Sequence, residues 1–302
     1  MTGLQFVGLK ATTIKSYKQA LRRFFQYLED EELPLPRIFR ELDSYLSQFL
    51  EHMWLDDQPM AYAGHLLSAL RRFMPESRWK VPRAKQYYSN WATSHVARQA
   101  IPMPPEVITA FAGLAISTHQ APLAALLLLG FLAFLRTGEM VSLHATKIHA
   151  DPNLGRVLLA LPSTKTSRHA EETVCVSDPL VAHLVASVLP QLTTPLVWAG
   201  SARSFRAVLA EFSTFFELDS FQFSAYSIRR GGASFAFAQG ASLDELLIKG
   251  RWQSQRTARL YLDTGRAALI QTRFNPRQVK YLHHYGSKLK GFCEQLRRRR
   301  TS

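Results

Sequence analysis

Cysteines, glycine-rich loops, acidic side chains and long apolar runs are all scarce in this sequence, and each scarcity removes a class of function. Cys175 and Cys293 stand far apart and match no zinc or redox spacing, so both are expected as free thiols in a reducing compartment. The longest apolar run, residues 121–135, holds about 15 residues and ends on Arg136, short of the roughly 20 needed to cross a bilayer. No signal peptide opens the chain, and a soluble, intracellular protein with no membrane partner is expected. Gly-rich phosphate loops, internal repeats and low-complexity tracts are missing as well, which argues against a P-loop enzyme.

What the chain has in excess is positive charge. Against 23 acidic residues stand 37 Lys and Arg, a formal net charge of +14. The excess is uneven: residues 1–100 carry 14 basic and 10 acidic side chains, residues 251–302 carry 13 and 2. Such a tail favours a polyanionic partner, nucleic acid first and an anionic membrane surface second. With 302 residues and 47% apolar side chains, the chain is long enough for two domains with real cores.

Periodicity predicts a mainly α protein. Ile14, Tyr17, Leu21, Phe25 and Leu28 recur at helical spacing, as do Leu42 to Met53, Tyr62 to Phe73 and, more loosely, Tyr87, Trp91 and Val96, giving about four amphipathic helices before residue 100. Residues 100–105, Ala-Ile-Pro-Met-Pro-Pro, read as a linker between a helical domain of residues 1–99 and a second domain of residues 106–302. In the second domain, residues 122–135 are apolar all round and read as a central helix. Arg156 to Leu161 and Glu172 to Val176 read as short strands joined by the turn 162–171, which carries Lys165. Helices follow at 178–189, 204–216, 266–274 and 278–300, the last ending in four consecutive arginines.

The unusual chemistry lies between Ser224 and Leu262. Arg229 and Arg230 precede Gly231 and Gly232 and read as opening a helix, where free N–H groups and a guanidinium fork both favour a phosphate. Gly240 reads as a helix stop, Ser242 with Glu245 as the next N-cap, and Gly250 as a second stop before Arg251 and Trp252. Arg229, Trp252 and Tyr261 thus fall on three successive short helices. Further back, Arg136-Thr-Gly-Glu139 places a charged pair directly after a buried helix, which is costly unless the charges are partnered.

These residues resemble the active site of the tyrosine recombinases, the phage-integrase family. The match rests on Tyr226-Ser-Ile-Arg229, on Gly-Arg-Trp252 and on Tyr261, with 23 residues from Arg229 to Trp252 and 9 from Trp252 to Tyr261, together with Arg136-x-x-Glu139. The resemblance implies a helical core-binding domain that grips duplex DNA, followed by a mostly helical catalytic domain with a small antiparallel sheet. It implies that Tyr261 attacks a scissile phosphate to form a 3′-phosphotyrosyl link, that Arg136 and Arg229 clamp the phosphate, and that Trp252 positions it. Lys165, with Lys147 as runner-up, is implied as the proton donor to the leaving 5′ oxygen, and Glu139 as a local brace. It further implies a homo-tetramer on two double-stranded DNA sites, with no cofactor, metal, ATP or small-molecule substrate. Tyr226 departs from the pattern, since the family usually has histidine there. A phenol with a pKa near 10 donates a hydrogen bond but is a poor base at neutral pH. The alternative reading is therefore a catalytically retired DNA-binding protein of the same fold.

Overall fold

The computed structural model describes residues 7–94, 100–161 and 172–301. The chain divides into two compact units, Met1–Arg98 and Gln99–Ser302.

Four longer helices and one short one make the first unit: α1 (Ala11–Asp30), α2 (Phe39–Leu55), α3 (Met60–Phe73), the single turn α4 (Ser77–Lys80) and α5 (Pro82–Ser94). Their apolar faces enclose a core that includes Phe24, Leu28, Leu46, Leu50, Leu66 and Trp91. Asp43 of α2 is buried in this unit because its carboxylate accepts the backbone N–H groups of Arg83 and Ala84 at 3.1 and 2.9 Å. A negative charge there satisfies the open donors of the first turn of α5 and favours its dipole. Lys15, Lys18 and Arg22 lie exposed on α1. Val96, which the periodicity places on the last helix of this unit, lies outside the described residues.

The second unit is built around α7 (Ala121–Leu132), packed by α6 (Pro105–Ser117) on one side and by helices α9 and α11, placed below, on others. Every residue from Leu123 to Phe131 is buried, which is why this helix has no polar face to read. It stops at Leu132 rather than running on to Leu135. Ala133 caps it, Phe134 turns into the left-handed region at φ 50°, and the Leu135 N–H bonds back to the Gly130 carbonyl at 2.9 Å. This is the helix-ending bend that usually employs glycine, and a side chain in that conformation costs roughly 1–2 kcal/mol. The bend delivers Arg136 to the N-terminus of α8 (Thr137–Val141).

A three-stranded antiparallel sheet follows, in the order β1 (Ile148–Asp151), β2 (Arg156–Leu161) and β3 (Glu172–Ser177). The sequence reading found β2 and β3 but not β1, whose four residues are too few to show alternation. Then come α9 (Pro179–Val188), α10 (Ala202–Phe215), α11 (Ala225–Ala238), α12 (Leu243–Gly250), α13 (Gln255–Arg259), α14 (Thr264–Thr272) and the long basic α15 (Pro276–Thr301). Helix α15 packs along α6 and α9.

One local expectation is overturned. Helix α11 begins at Ala225 behind the Ser224 N-cap, whose N–H donates to Ser227 Oγ at 3.0 Å. Arg229 and Arg230 therefore sit in its second turn, where the backbone N–H groups are already committed, and the helix-terminus argument for anion binding does not apply to them.

Candidate active site

Four pieces of backbone converge on Arg229: the bend after α7, the helix α11 that carries it, the turn after α12 and the turn after α13. The guanidinium is fully buried, with 0% exposure. Its Nη1 donates to the Phe134 carbonyl and its Nη2 to the Gly250 carbonyl at 2.5 Å. Its central carbon lies 4.9 Å from the Trp252 ring and 5.1 Å from the Tyr261 ring, close enough for cation–π attraction. Burial first, then the charges of Arg136 and Arg251, pull its pKa down to about 10. It is still cationic at neutral pH.

Arg136 stands beside it and is partly open, its side chain 36% exposed. Its Nη1 meets Glu139 Oε1 at 2.6 Å and its Nη2 donates to the Arg251 carbonyl at 3.3 Å. Arg229 and Arg136 thus bond to the carbonyls of two consecutive residues, Gly250 and Arg251. Glu139 is buried and uses its second oxygen twice, accepting the Arg136 backbone N–H at 2.7 Å and Arg251 Nη2 at 2.7 Å. Arg251 occupies the left-handed C-cap of α12 at φ 54°. Burial outweighs its acidic neighbours and lowers its pKa.

The aromatic side of the site is a stack. Trp252 lies 6.2 Å from Phe134 in a near-parallel arrangement and 4.6 Å from Tyr261, and Tyr226 lies 5.4 Å from Tyr261 on the open side. Backbone tethers fix Tyr261: Ser234 Oγ of α11 donates to its carbonyl at 3.1 Å and accepts the Asp263 N–H at 3.0 Å. Burial by itself raises the Tyr261 pKa. The neighbouring Tyr226 hydroxyl, the charge of Arg229 and the nearby Trp252 N–H lower it, and they prevail. Tyr226 moves the other way: burial first, then the neighbouring Tyr261 hydroxyl, raise its pKa. The two phenols are thus shifted in opposite directions, Tyr226 up and Tyr261 down. Replacing Tyr226 by phenylalanine removes the hydroxyl that lowers the Tyr261 pKa, so any reaction of the Tyr261 phenolate is expected to have its ascending pH limb displaced to higher pH, measured as a pH–rate profile of covalent adduct formation.

Three donors in this cluster are buried without a hydrogen bond of their own, Arg229 Nε, Arg251 Nε and Trp252 Nε1. The Trp252 N–H lies toward the Tyr261 oxygen and favours its ionisation, but falls short of hydrogen-bond geometry. A buried unsatisfied donor costs about 1–3 kcal/mol, and such groups collect where a ligand supplies the acceptor.

No family model matches the chain, and no curated protein is similar to it. Solved structures are. A fragment of the Tn1549 transposon integrase in complex with transposon right end DNA superposes with a TM-score of 0.62 over 89% of this chain and 96% of that one, at 10% identity. XerH site-specific recombinase bound to its difH substrate gives 0.55 over 85% and 79% at 13% identity, and a lambda integrase dimer bound to a core site gives 0.55 over 85% and 73% at 14%. The fold is that of the tyrosine recombinases.

Within this tyrosine-recombinase fold, Arg136, Tyr226, Arg229, Trp252 and Tyr261 come together around one cluster of contacts, although they span 125 residues of chain. Lys165 lies outside the described residues, and Lys147 ends a 3₁₀ turn ahead of β1. Trp252 and Tyr261 sit just past the ends of α12 and α13 rather than on them, so that each ring leaves the helix and turns toward Arg229. Sequence reasoning missed Arg251 and Ser234 as members of the cluster. Arg251 carried a signal, being the one charged residue between the stop at Gly250 and Trp252; Ser234, inside a run of small residues, carried none.

Proposed function

We propose that the protein is a DNA strand transferase of the tyrosine-recombinase class, cutting and rejoining duplex DNA through a covalent tyrosyl intermediate. The observation that carries this reading is the convergence of a tyrosine of lowered pKa, two arginines held side by side and orphaned buried donors in one half-open cluster. Phosphodiester transfer needs a nucleophile, charge stabilisation on the non-bridging oxygens and a proton for the leaving oxygen. Tyr261 supplies the first as its phenolate: the Tyr261 oxygen bonds to phosphorus as the bond to the 5′ oxygen breaks, giving a 3′-phosphotyrosyl link. Arg136 and Arg229 supply the second. Lys165 is assigned the third on the resemblance alone. Trp252 packs on the phosphate and offers its N–H. Tyr226, whose ring lies 5.4 Å from that of Tyr261, is assigned a hydrogen bond to the Tyr261 oxygen in the reacting complex, a task for which a phenol is suited and a general base is not required. Because the intermediate keeps the energy of the broken bond, a second 5′-hydroxyl reseals it without ATP.

Duplex DNA as partner is supported by the basic composition and by the DNA-bound state of the similar recombinases. No helix among the described residues is long and apolar enough to cross a membrane. The first unit is assigned to gripping the duplex, with Lys15, Lys18 and Arg22 on its exposed basic face, and a homo-tetramer on two sites is the expected working assembly.

The test is a covalent trap. Wild type and Tyr261→Phe are incubated with supercoiled plasmids carrying random inserts, denatured in detergent, and protein-bound DNA is recovered. DNA retained by wild type and lost with Tyr261→Phe is the expected result. Binding to a selected site that never yields an adduct would instead favour a retired DNA-binding protein.

A further inference from the structure

We infer that Arg251 is a positioning residue that sets Arg136 for phosphate, an inference that rests on reading Arg136 as a phosphate ligand. The two arginines share one carboxylate and one peptide. Glu139 receives Arg136 through Oε1 and Arg251 through Oε2, at 2.6 and 2.7 Å, while the Arg251 carbonyl accepts from Arg136 Nη2. Arg251 is itself anchored: its Nη1 donates to the Lys249 carbonyl at 2.9 Å and the Ala133 carbonyl at 3.3 Å, and its Nη2 reaches Phe134 O at 3.2 Å. Its side chain is 4% exposed, so it does not meet DNA directly. Arg136, at 36%, does.

The electrostatic consequence follows from counting. With Glu139 facing Arg136 alone, one buried carboxylate would neutralise one guanidinium and draw it inward. Arg251 supplies the carboxylate's second partner, so that Arg136 is oriented by Glu139 without being cancelled by it. Glu172 lies 3.6 Å from Arg251 Nε on the far side. Among these five side chains, Arg136, Arg229 and Arg251 against Glu139 and Glu172 leave one unit of positive charge. Without Arg251 the same group is neutral. The left-handed backbone of Arg251 is part of the device, because it turns the carbonyl toward Arg136 while the side chain folds back beneath Glu139.

The probe is inorganic phosphate, titrated at constant ionic strength against the thermal unfolding of wild type, Arg136→Met, Arg251→Met and the double variant, with the exposed Arg256→Gln as a control for the loss of one nearby charge. Ligand binding to the folded state raises the midpoint with concentration, so affinity is read separately from stability. Arg251→Met is expected to weaken phosphate about tenfold, the scale of one charge-assisted hydrogen bond, with little further loss in the double variant and none in Arg256→Gln. A merely structural role would lower every midpoint alike and leave its phosphate dependence unchanged; that result, additive losses in the double variant, or no phosphate-dependent stabilisation of wild type, would overturn the assignment. Cleavage is not needed for this readout, so an absent DNA adduct and a wrong role for Arg251 are told apart.

Discussion

Arg229→Ala is expected to reduce covalent DNA adducts by at least a hundredfold and to lower stability at the same time. The first effect is the loss of a donor to the transition-state oxygens, typically about 2.7–4 kcal/mol. The second comes from what the side chain holds in the absence of DNA. Its removal leaves the Gly250 carbonyl without its buried donor and the Phe134 carbonyl with Arg251 alone, at about 1–3 kcal/mol for the group left unsatisfied, and opens a hollow beneath the Trp252 and Tyr261 rings. Arg229→Lys keeps the charge but presents a single nitrogen where two bonds diverge, and is expected to recover little of either. Adduct yield and a urea unfolding curve on the same preparations separate the two losses. An Arg229→Ala protein that still forms adducts at wild-type yield would remove Arg229 from the reaction.

A large loss of stability without a change of charge is expected from Gly232→Ala. A Cβ at this position in α11 would overlap the backbone carbonyl of Phe131, and neither partner is able to step aside, since both belong to helices buried in the same core. Overpacking of this kind costs about 1–3 kcal/mol and occasionally more; the upper end is expected because the obstacle is backbone rather than a side chain that could choose another rotamer. The contrasting substitution is Gly291→Ala in α15, where nothing lies within 4 Å of the new methyl group. There the helix propensity difference dominates, and a gain of about 1 kcal/mol is expected. Urea midpoints moving in opposite directions would check both; equal midpoints would mean that α11 and α7 lie further apart than described.

How much of this was legible beforehand depended on whether the cause was local. The 3.6-residue repeat of α1, α2 and α3 follows from one face meeting one core, and it shows in the sequence. Helix α7 shows as an unbroken apolar run because it is covered on every side. The end of α7 did not show: nothing local marks Phe134 as the left-handed residue, and the conformation is stabilised by donors from Arg229 and Arg251, 95 and 117 residues away. The position of Arg229 was misread for a related reason, since the two glycines that suggest a helix start instead let α11 pack against Met103 and Phe131. The candidate site residues were named on a resemblance, carried by motifs and their spacing. What they do to one another, the Tyr226–Tyr261 ring contact and the shared Glu139, required the third dimension.

The bends at Phe134 and Arg251 have a consequence for how the site waits for its substrate. Main-chain oxygens, rather than acids, hold most of its guanidinium hydrogens. An amide oxygen aligns a cation without subtracting from its charge, and it has no proton to gain or lose between mild acid and mild base. The arginines are therefore kept aimed but not quenched, and an arriving anion has few counter-ions to evict before it binds. Their readiness should be indifferent to pH from mild acid to mild base, below the value of about 10 to which Arg229 is lowered.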